Sequence, residues 1–206
     1  QGLHRRGTPK MHPELCLHTS TPILYSSHLL RLSLSFSVRL RTYAFAGGAA
    51  RNVIVTTTGT GDISKTCTIT GTDVFGDAMT ETITSTGSAE AVAGTKLFLT
   101  VTAVECSEQY AANIKVGSGT TCAQAVNGSN RVRLKGMSIT SGGTAGDVEF
   151  IDGAPEDGTT LFKSRTIGTA NTVIDRTIPS EGVIFRSGLS IKYTLDVADM
   201  ITVFHA

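Results

Sequence analysis

Thr66-Cys-Thr-Ile-Thr-Gly-Thr-Asp-Val-Phe-Gly-Asp-Ala-Met-Thr-Glu-Thr-Ile-Thr84 decides how the chain is read. Thr66, Thr68 and Thr70 alternate with Cys67 and Ile69, and Thr80, Thr82 and Thr84 alternate with Glu81 and Ile83. A period of two belongs to a pleated strand with one packed face and one wet face. Between the two runs, Asp73–Asp77 supplies turn residues around a glycine. The stretch therefore predicts a β-hairpin.

The same pattern extends outward in both directions. Asn52-Val-Ile-Val-Thr-Thr57, Lys96-Leu-Phe-Leu-Thr-Val-Thr-Ala-Val104 and residues 112–116 read as further strands that complete a small sandwich. Thr120 to Asn130, ending in Asn127-Gly-Ser-Asn130, reads as a turn-rich linker. Seven short strands follow, around 131–140, 147–152, 159–163, 172–174, 182–186, 190–195 and 201–204, and no helix of three turns is expected. The expected fold is all-β: an extended N-terminal arm over 1–50, then two small antiparallel β-sandwich or jelly-roll-like modules over 51–126 and 131–206.

Composition narrows the classes. With 206 residues, 40% hydrophobic and only 17% charged, the chain can bury real cores and does not have the make-up of a disordered protein or a long helical bundle. The net charge of +1 is unevenly placed. Residues 1–50 hold six basic residues against Glu14, while the remainder holds 12 basic and 16 acidic residues. A basic arm on an acidic body suits binding to a neighbouring subunit more than to nucleic acid, because the arm has no dense Lys/Arg run.

The arm has one ordered pattern. Leu30, Leu32, Leu34, Phe36, Val38 and Leu40 alternate strictly with Arg31, Ser33, Ser35, Ser37 and Arg39. As a strand about 35 Å long, this stretch would place every apolar side chain on one face. It is too broken for a secretory signal or a membrane-spanning helix. Two readings remain open: an ordinary sheet strand, or an arm strand that adds to the sheet edge of another subunit. In the second, Leu32, Leu34, Phe36, Val38 and Leu40 are anchors, and Arg31, Arg39 and Arg41 set register by charge. The first ten residues lack Met, and Met11 is a candidate start.

Chemistry is sparse. Cysteines at 16, 67, 106 and 122 include no CxxC pair; Cys67 and Cys106 read as small buried strand residues, and a Cys106–Cys122 disulfide is an open option beside the reduced state. His4, His12, His18 and His28 crowd the arm without metal-site spacing. Paired acids occur as Asp147/Glu149, Glu156/Asp157 and Asp196/Asp199. Asp147 and Glu149 would share one strand face, in the manner of glycosidase carboxylates, and a solvated face explains them equally well. The Asp73–Asp77 turn and the Asp152–Asp157 loop offer oxygens for a loose Ca²⁺ site, but turn chemistry is the better reading. Arg131-Val-Arg-Leu-Lys135 reads as a solvated strand face. No phosphate loop or nucleophile elbow is present. No catalytic, metal or cofactor residues are expected, and the chain is not expected to be an enzyme.

Two groups of motifs resemble virion proteins of tailed bacteriophages. The run Arg51-Asn-Val-Ile-Val-Thr-Thr-Thr-Gly59, the hairpin 66–84 and Gly94-Thr-Lys-Leu-Phe-Leu-Thr-Val-Thr-Ala-Val104 resemble β-sandwich proteins reading "TITGTDxxGxxxTETI" and then "GTKxFxTVTxV". Ile139-Thr-Ser-Gly-Gly-Thr-Ala-Gly146, Asp152-Gly153, Glu181-Gly-Val-Ile-Phe185, Gly188-Leu189 and Ile201-Thr-Val-Phe204 resemble small virion proteins of marine phages. The resemblance covers 51–206 and leaves the arm aside. It implies a structural protein of the virion, assembled in the host cytoplasm: a capsid decoration or cement protein, or a neck or tail part. Its partners would be other virion subunits and copies of itself, a trimer among the options, with no membrane and no nucleic acid. An adhesin-like module binding cell-surface glycan is the competing class.

Overall fold

The computed structural model describes residues 15–17, 36–38, 43–44, 48–87 and 90–206. Sixteen strands are placed among them, with no helix. They are β1 (Leu15–Leu17), β2 (Phe36–Val38), β3 (Tyr43–Ala44), β4 (Ala50–Thr57), β5 (Thr66–Thr72), β6 (Ala78–Thr84), β7 (Ala91–Phe98) and β8 (Thr100–Cys106). The second half continues with β9 (Ile114–Ala125), β10 (Val132–Ser141), β11 (Ala145–Asp152), β12 (Thr159–Ile167), β13 (Val173–Thr177), β14 (Val183–Phe185), β15 (Leu189–Thr194) and β16 (Ala198–His205). Every pairing between these strands is antiparallel. The all-β expectation holds, and the hairpin 66–84 forms as β5 and β6 in unbroken register from Thr66↔Thr84 to Thr72↔Ala78.

Three sheets build the body. A seven-stranded sheet runs β12-β11-β15-β9-β4-β7, with β1 also on β9. A five-stranded sheet runs β2-β8-β5-β6, with β3 also on β8. In the third sheet β10 is central, with β16 on one edge and β13 and β14 in line on the other. The apolar faces close two main cores. Val53, Val55, Cys67, Ile69, Ile83, Phe98, Val104 and Ile114 form one, drawn from 53–114. Val132, Leu134, Ile139, Val148, Phe150, Phe185, Leu189 and Ile191 belong to the other, drawn from 132–197. A small third cluster of Ala50, Val74, Leu97 and Ala123 is separate from both. The cores are separate, but the large sheet is shared: β9 takes β4 on one edge and β15 on the other.

Two sequence expectations change. Lys96–Val104 is two strands, because the chain bends at Leu99: β7 pairs with β4 in the large sheet, and β8 pairs with β5 in the five-stranded sheet. The Leu99 amide donates to the Thr72 carbonyl at the crossing, 2.8 Å. Such a switch lets one continuous strand-forming run serve both walls of a sandwich. Thr120–Ala125, read as linker, is the second half of β9, since Thr121–Ala125 find partners in Ser190–Thr194. Polar composition gave way there to a ladder supplied from 65 residues downstream.

β4 sits in the large sheet between two irregular neighbours. Arg51 opposes Cys122 and Val53 opposes Ser118, so residues 119–121 of β9 face Asn52 alone. On the other edge, Asn52 opposes Leu97 and Ile54 opposes Ala93, so residues 94–96 of β7 face Val53 alone. Bulges of this kind remove ladder bonds. Asn52, nearly buried, replaces one on each side: its Oδ1 accepts from the Thr121 amide at 3.1 Å, and its Nδ2 donates to the Gly94 carbonyl at 3.2 Å. An amide side chain carries both a donor and an acceptor, which suits it to this place.

A second polar staple joins the β4–β5 loop to the loop after β8. Asp62, fully buried, accepts from Lys65 Nζ at 2.8 Å, the Ala111 amide at 2.7 Å and the Ala112 amide at 3.2 Å. Lys65 also donates to the Gln109 carbonyl and lies 5.3 Å from the centre of the Tyr110 ring. Burial works to raise the Asp62 carboxyl, but these donors outweigh it and hold it below the usual value.

Asn52→Ala should leave a buried amide and carbonyl unpartnered and cost about 2–3 kcal/mol, read as a lower urea midpoint with an unchanged slope. Asp62→Asn should cost about 2 kcal/mol at pH 7. Because the Asp62 carboxyl is depressed in the folded chain, its contribution is complete above the unfolded value and lost as pH falls through the folded one. The gap between wild type and variant should therefore close below about pH 4 in urea titrations.

Candidate functional site

The sequence places its candidate site on the arm. Of the eight residues expected to bind a partner, Phe36 and Val38 lie in β2; Leu32, Leu34, Leu40, Arg31, Arg39 and Arg41 lie outside the described residues. β2 adds to β8 with Phe36 opposite Cys106 and Val38 opposite Val104. Further along the same edge, β3 sets Tyr43 opposite Val101. β1 adds to a different sheet, with Leu15 opposite Val116 and Leu17 opposite Ile114. Three short pieces of the amino-terminal stretch thus occupy sheet edges that would otherwise present bare N–H and C=O groups. The arm histidines also lie outside the described residues, and Cys16 is placed in β1.

On the body, the two acidic loops meet. The turn after β5 and the loop after β11 face each other across a cleft of about 420 Å³ that includes Asp73, Asp77, Glu156, Asp157 and Lys96. The sequence singles out both loops without indicating that they converge. Asp73 and Asp152, one from each loop, serve the backbone. Asp73 Oδ1 accepts from the Phe75 and Asp77 amides at 2.9 and 2.8 Å, closing the hairpin turn. Asp152 Oδ1 accepts from the Arg186 and Ser187 amides at 2.7 and 2.6 Å. Among the described residues no three His, Cys, Asp or Glu side chains converge as metal ligands.

Glu156, half of an acid pair with Asp157 in the sequence, has a partner that the sequence did not indicate. It comes from the loop after β11 and reaches β7, where its Oε1 accepts from the Leu97 amide at 2.7 Å. Its Oε2 is buried with no hydrogen-bond partner. Burial pushes its carboxyl up, against the opposing pull of the Leu97 amide. Glu81, from β6, serves the neighbouring bulge: its Oε1 accepts from the Thr95 amide at 2.7 Å and the Lys96 amide at 3.3 Å. Two carboxylates, one from β6 and one from the loop after β11, therefore cover three successive amides of β7, an edge strand of the large sheet. An edge covered in this way is a poor template for uncontrolled pairing.

The other charged candidates are internally paired. Asp147 opposes Arg165 and Glu149 opposes Lys163 across β11 and β12, with Lys163 Nζ 2.7 Å from Glu149 and 3.6 Å from Asp147. The Glu149 hydrogen bond and charge raise the Lys163 ammonium. Opposite charges directly across an antiparallel pair are ordinary sheet stabilisers. Arg133 pairs with Glu181, and Lys135 donates to the Ser180 carbonyl at 3.2 Å. Cys122 is buried and its thiol donates to the Thr120 carbonyl, while the neighbour of Cys106 is Cys67 and not Cys122. No helix among the described residues is long and apolar enough to cross a membrane.

Glu156→Gln isolates one titration. With its folded carboxyl raised, wild-type Glu156 favours folding most below the ordinary value of 4.5 and loses that advantage as pH rises through the folded value. The neutral variant keeps an acceptor for the Leu97 amide and lacks this slope. The stability of wild type minus variant should fall between pH 4 and neutrality, measured by urea unfolding of both proteins at each pH.

No protein-family model, curated protein or solved structure matches the chain.

Proposed function

We propose that this chain is a structural subunit of a tailed-bacteriophage virion, a capsid decoration or cement protein that attaches through its amino-terminal arm. The observation that carries the reading is the way β1, β2 and β3 enter the body. Each is a short edge addition, and together they reach two different sheets of the body. Edge addition is also how an arm from one subunit joins the sheet of another, since the same ladder bonds form whichever chain supplies the strand.

Two further observations fit. The amino-terminal 50 residues are basic and the body is acidic, with Asp73, Asp77, Glu156 and Asp157 gathered at one cleft. Met200 and Phe204 are exposed on β16, which forms an outer edge of the third sheet. Placing the six apolar side chains of 30–40 against a neighbour would contribute on the order of 10 kcal/mol before ordering costs. That is enough to hold a subunit on a shell. The resemblance of 51–206 to phage virion proteins supports a virion as the assembly joined; a neck or tail position uses the same attachment physics as the shell.

The double variant Leu34→Asp with Phe36→Asp tests the reading. Circular dichroism should show an intact β body, while electron microscopy of particles assembled with the variant should show immunogold label lost from the head. Particles labelled as densely as wild type would overturn arm-mediated attachment. Saturable binding of the unmodified full chain to a glycan array, with no label on particles, would replace the reading with the adhesin one.

A further inference from the structure

Cys67 and Cys106 stand directly opposite each other on β5 and β8, and their sulfurs are 3.1 Å apart. Both are buried in the first core. The next pair along the ladder is Thr66 and Ser107, whose Ser107 amide donates to the Thr66 carbonyl at 2.9 Å. Hydrogen-bonded and non-hydrogen-bonded pairs alternate in an antiparallel ladder, so Cys67 and Cys106 form a non-hydrogen-bonded pair. Such pairs hold their Cα atoms about 4.5 Å apart, within the 4.4–6.8 Å that a disulfide spans. Closing the sulfurs to a bond of ~2.05 Å needs about 1 Å of movement, within reach of small χ1 adjustments.

We propose that Cys67 and Cys106 are a cross-strand disulfide site, closed by exchange with a low-molecular-weight disulfide. The Cys67 thiolate attacks one sulfur of the small disulfide and releases one small thiolate. The Cys106 thiolate then attacks Cys67 Sγ and releases the second. Two S–H bonds are lost and one S–S bond is gained; the two electrons pass to the small disulfide, and the two protons end on its two thiol products. Cys67 is placed to react first, since Cys106 and the Tyr110 hydroxyl, 3.3 Å away, both lie within hydrogen-bonding reach of its sulfur. The contact with Cys106 holds the Cys67 thiol below its ordinary value, and the same contact together with burial drives Cys106 up.

The position gives the bond a role. β8 lies between β5 and the pair β2 and β3, and Cys106 is the residue opposite Phe36 of β2. A covalent tie from β5 to Cys106 would fix the strand on which two pieces of the amino-terminal stretch rest. Because both thiols are buried, exchange requires opening of the sheet, and the closed bond would be equally shielded from reductant.

The experiment refolds the full chain from urea in a buffer of reduced and oxidised glutathione, blocks free thiols with iodoacetamide, and maps tryptic peptides by mass spectrometry. Cleavage after Lys65, Lys96 and Lys115 puts Cys67, Cys106 and Cys122 on separate peptides. The expected result is a dominant Cys67–Cys106 linked peptide, formed equally well when Cys16 and Cys122 are replaced by serine. Tm should rise by about 5–10 °C over the reduced protein. Alkylation of both Cys67 and Cys106 in protein with native circular dichroism would overturn the proposal. So would linked peptides distributed evenly among the four cysteines.

Discussion

The sheet shared by the two large cores depends on β9 holding register with β4 and β15, and one amide side chain supports the register with β4. Three residues of β9 bulge opposite Asn52, and three residues of β7 bulge opposite the adjacent Val53. Without Asn52 bonding to Thr121 on one side and Gly94 on the other, both irregularities would strand buried backbone groups. Holding the bulges in place sets where β9 meets β15, and through β15 where β11 and β12 lie. Local hydrogen-bond satisfaction at one residue thus propagates into the placement of the whole second half.

The carboxylates of the body follow a common logic. Asp62, Asp73, Glu81, Asp152 and Glu156 each accept from backbone amides at a loop, a turn or a bulged edge. An ionised acceptor makes a stronger bond to an amide than a neutral one does. In a chain without helices among its described residues, loops and edges are where unpaired amides accumulate. Of the acids that resemble catalytic or ion-binding groups in a linear reading, Asp73, Asp152 and Glu156 accept from backbone amides, while Asp147 and Glu149 pair with Lys163 and Arg165.

How much of this was legible in the sequence follows from distance along the chain. The hairpin 66–84 was readable because alternation and turn residues are local, and the seven strands of the second half were readable for the same reason. Burial of Cys67 and Cys106 followed from their strand positions. The bend at Leu99 was hidden because no Gly, Pro, Asn or Asp interrupts Lys96–Val104, and only the distant partners β4 and β5 assign its halves to different sheets. Thr120–Ala125 misled because its composition suits a turn, whereas its partner strand lies far downstream. Asn52 within an apolar run was a visible signal, since Asn is disfavoured in strands and marks an irregularity. Glu156 stood out as half of an acid pair with Asp157, but its role did not, because its target amide is 59 residues earlier in the chain. Of the candidate site, the arm's alternation was plain, but the edge that receives it is a property of the assembled sheets.

The shared seven-stranded sheet also determines how the body would answer mechanical load. A hinge between two beads yields by bending, but here β9 carries neighbours on both flanks. Strain entering from the β1 side must cross the strand laterally, loading many backbone bonds in parallel. The body would deflect as one stiff plate, with no soft joint between its halves at β9.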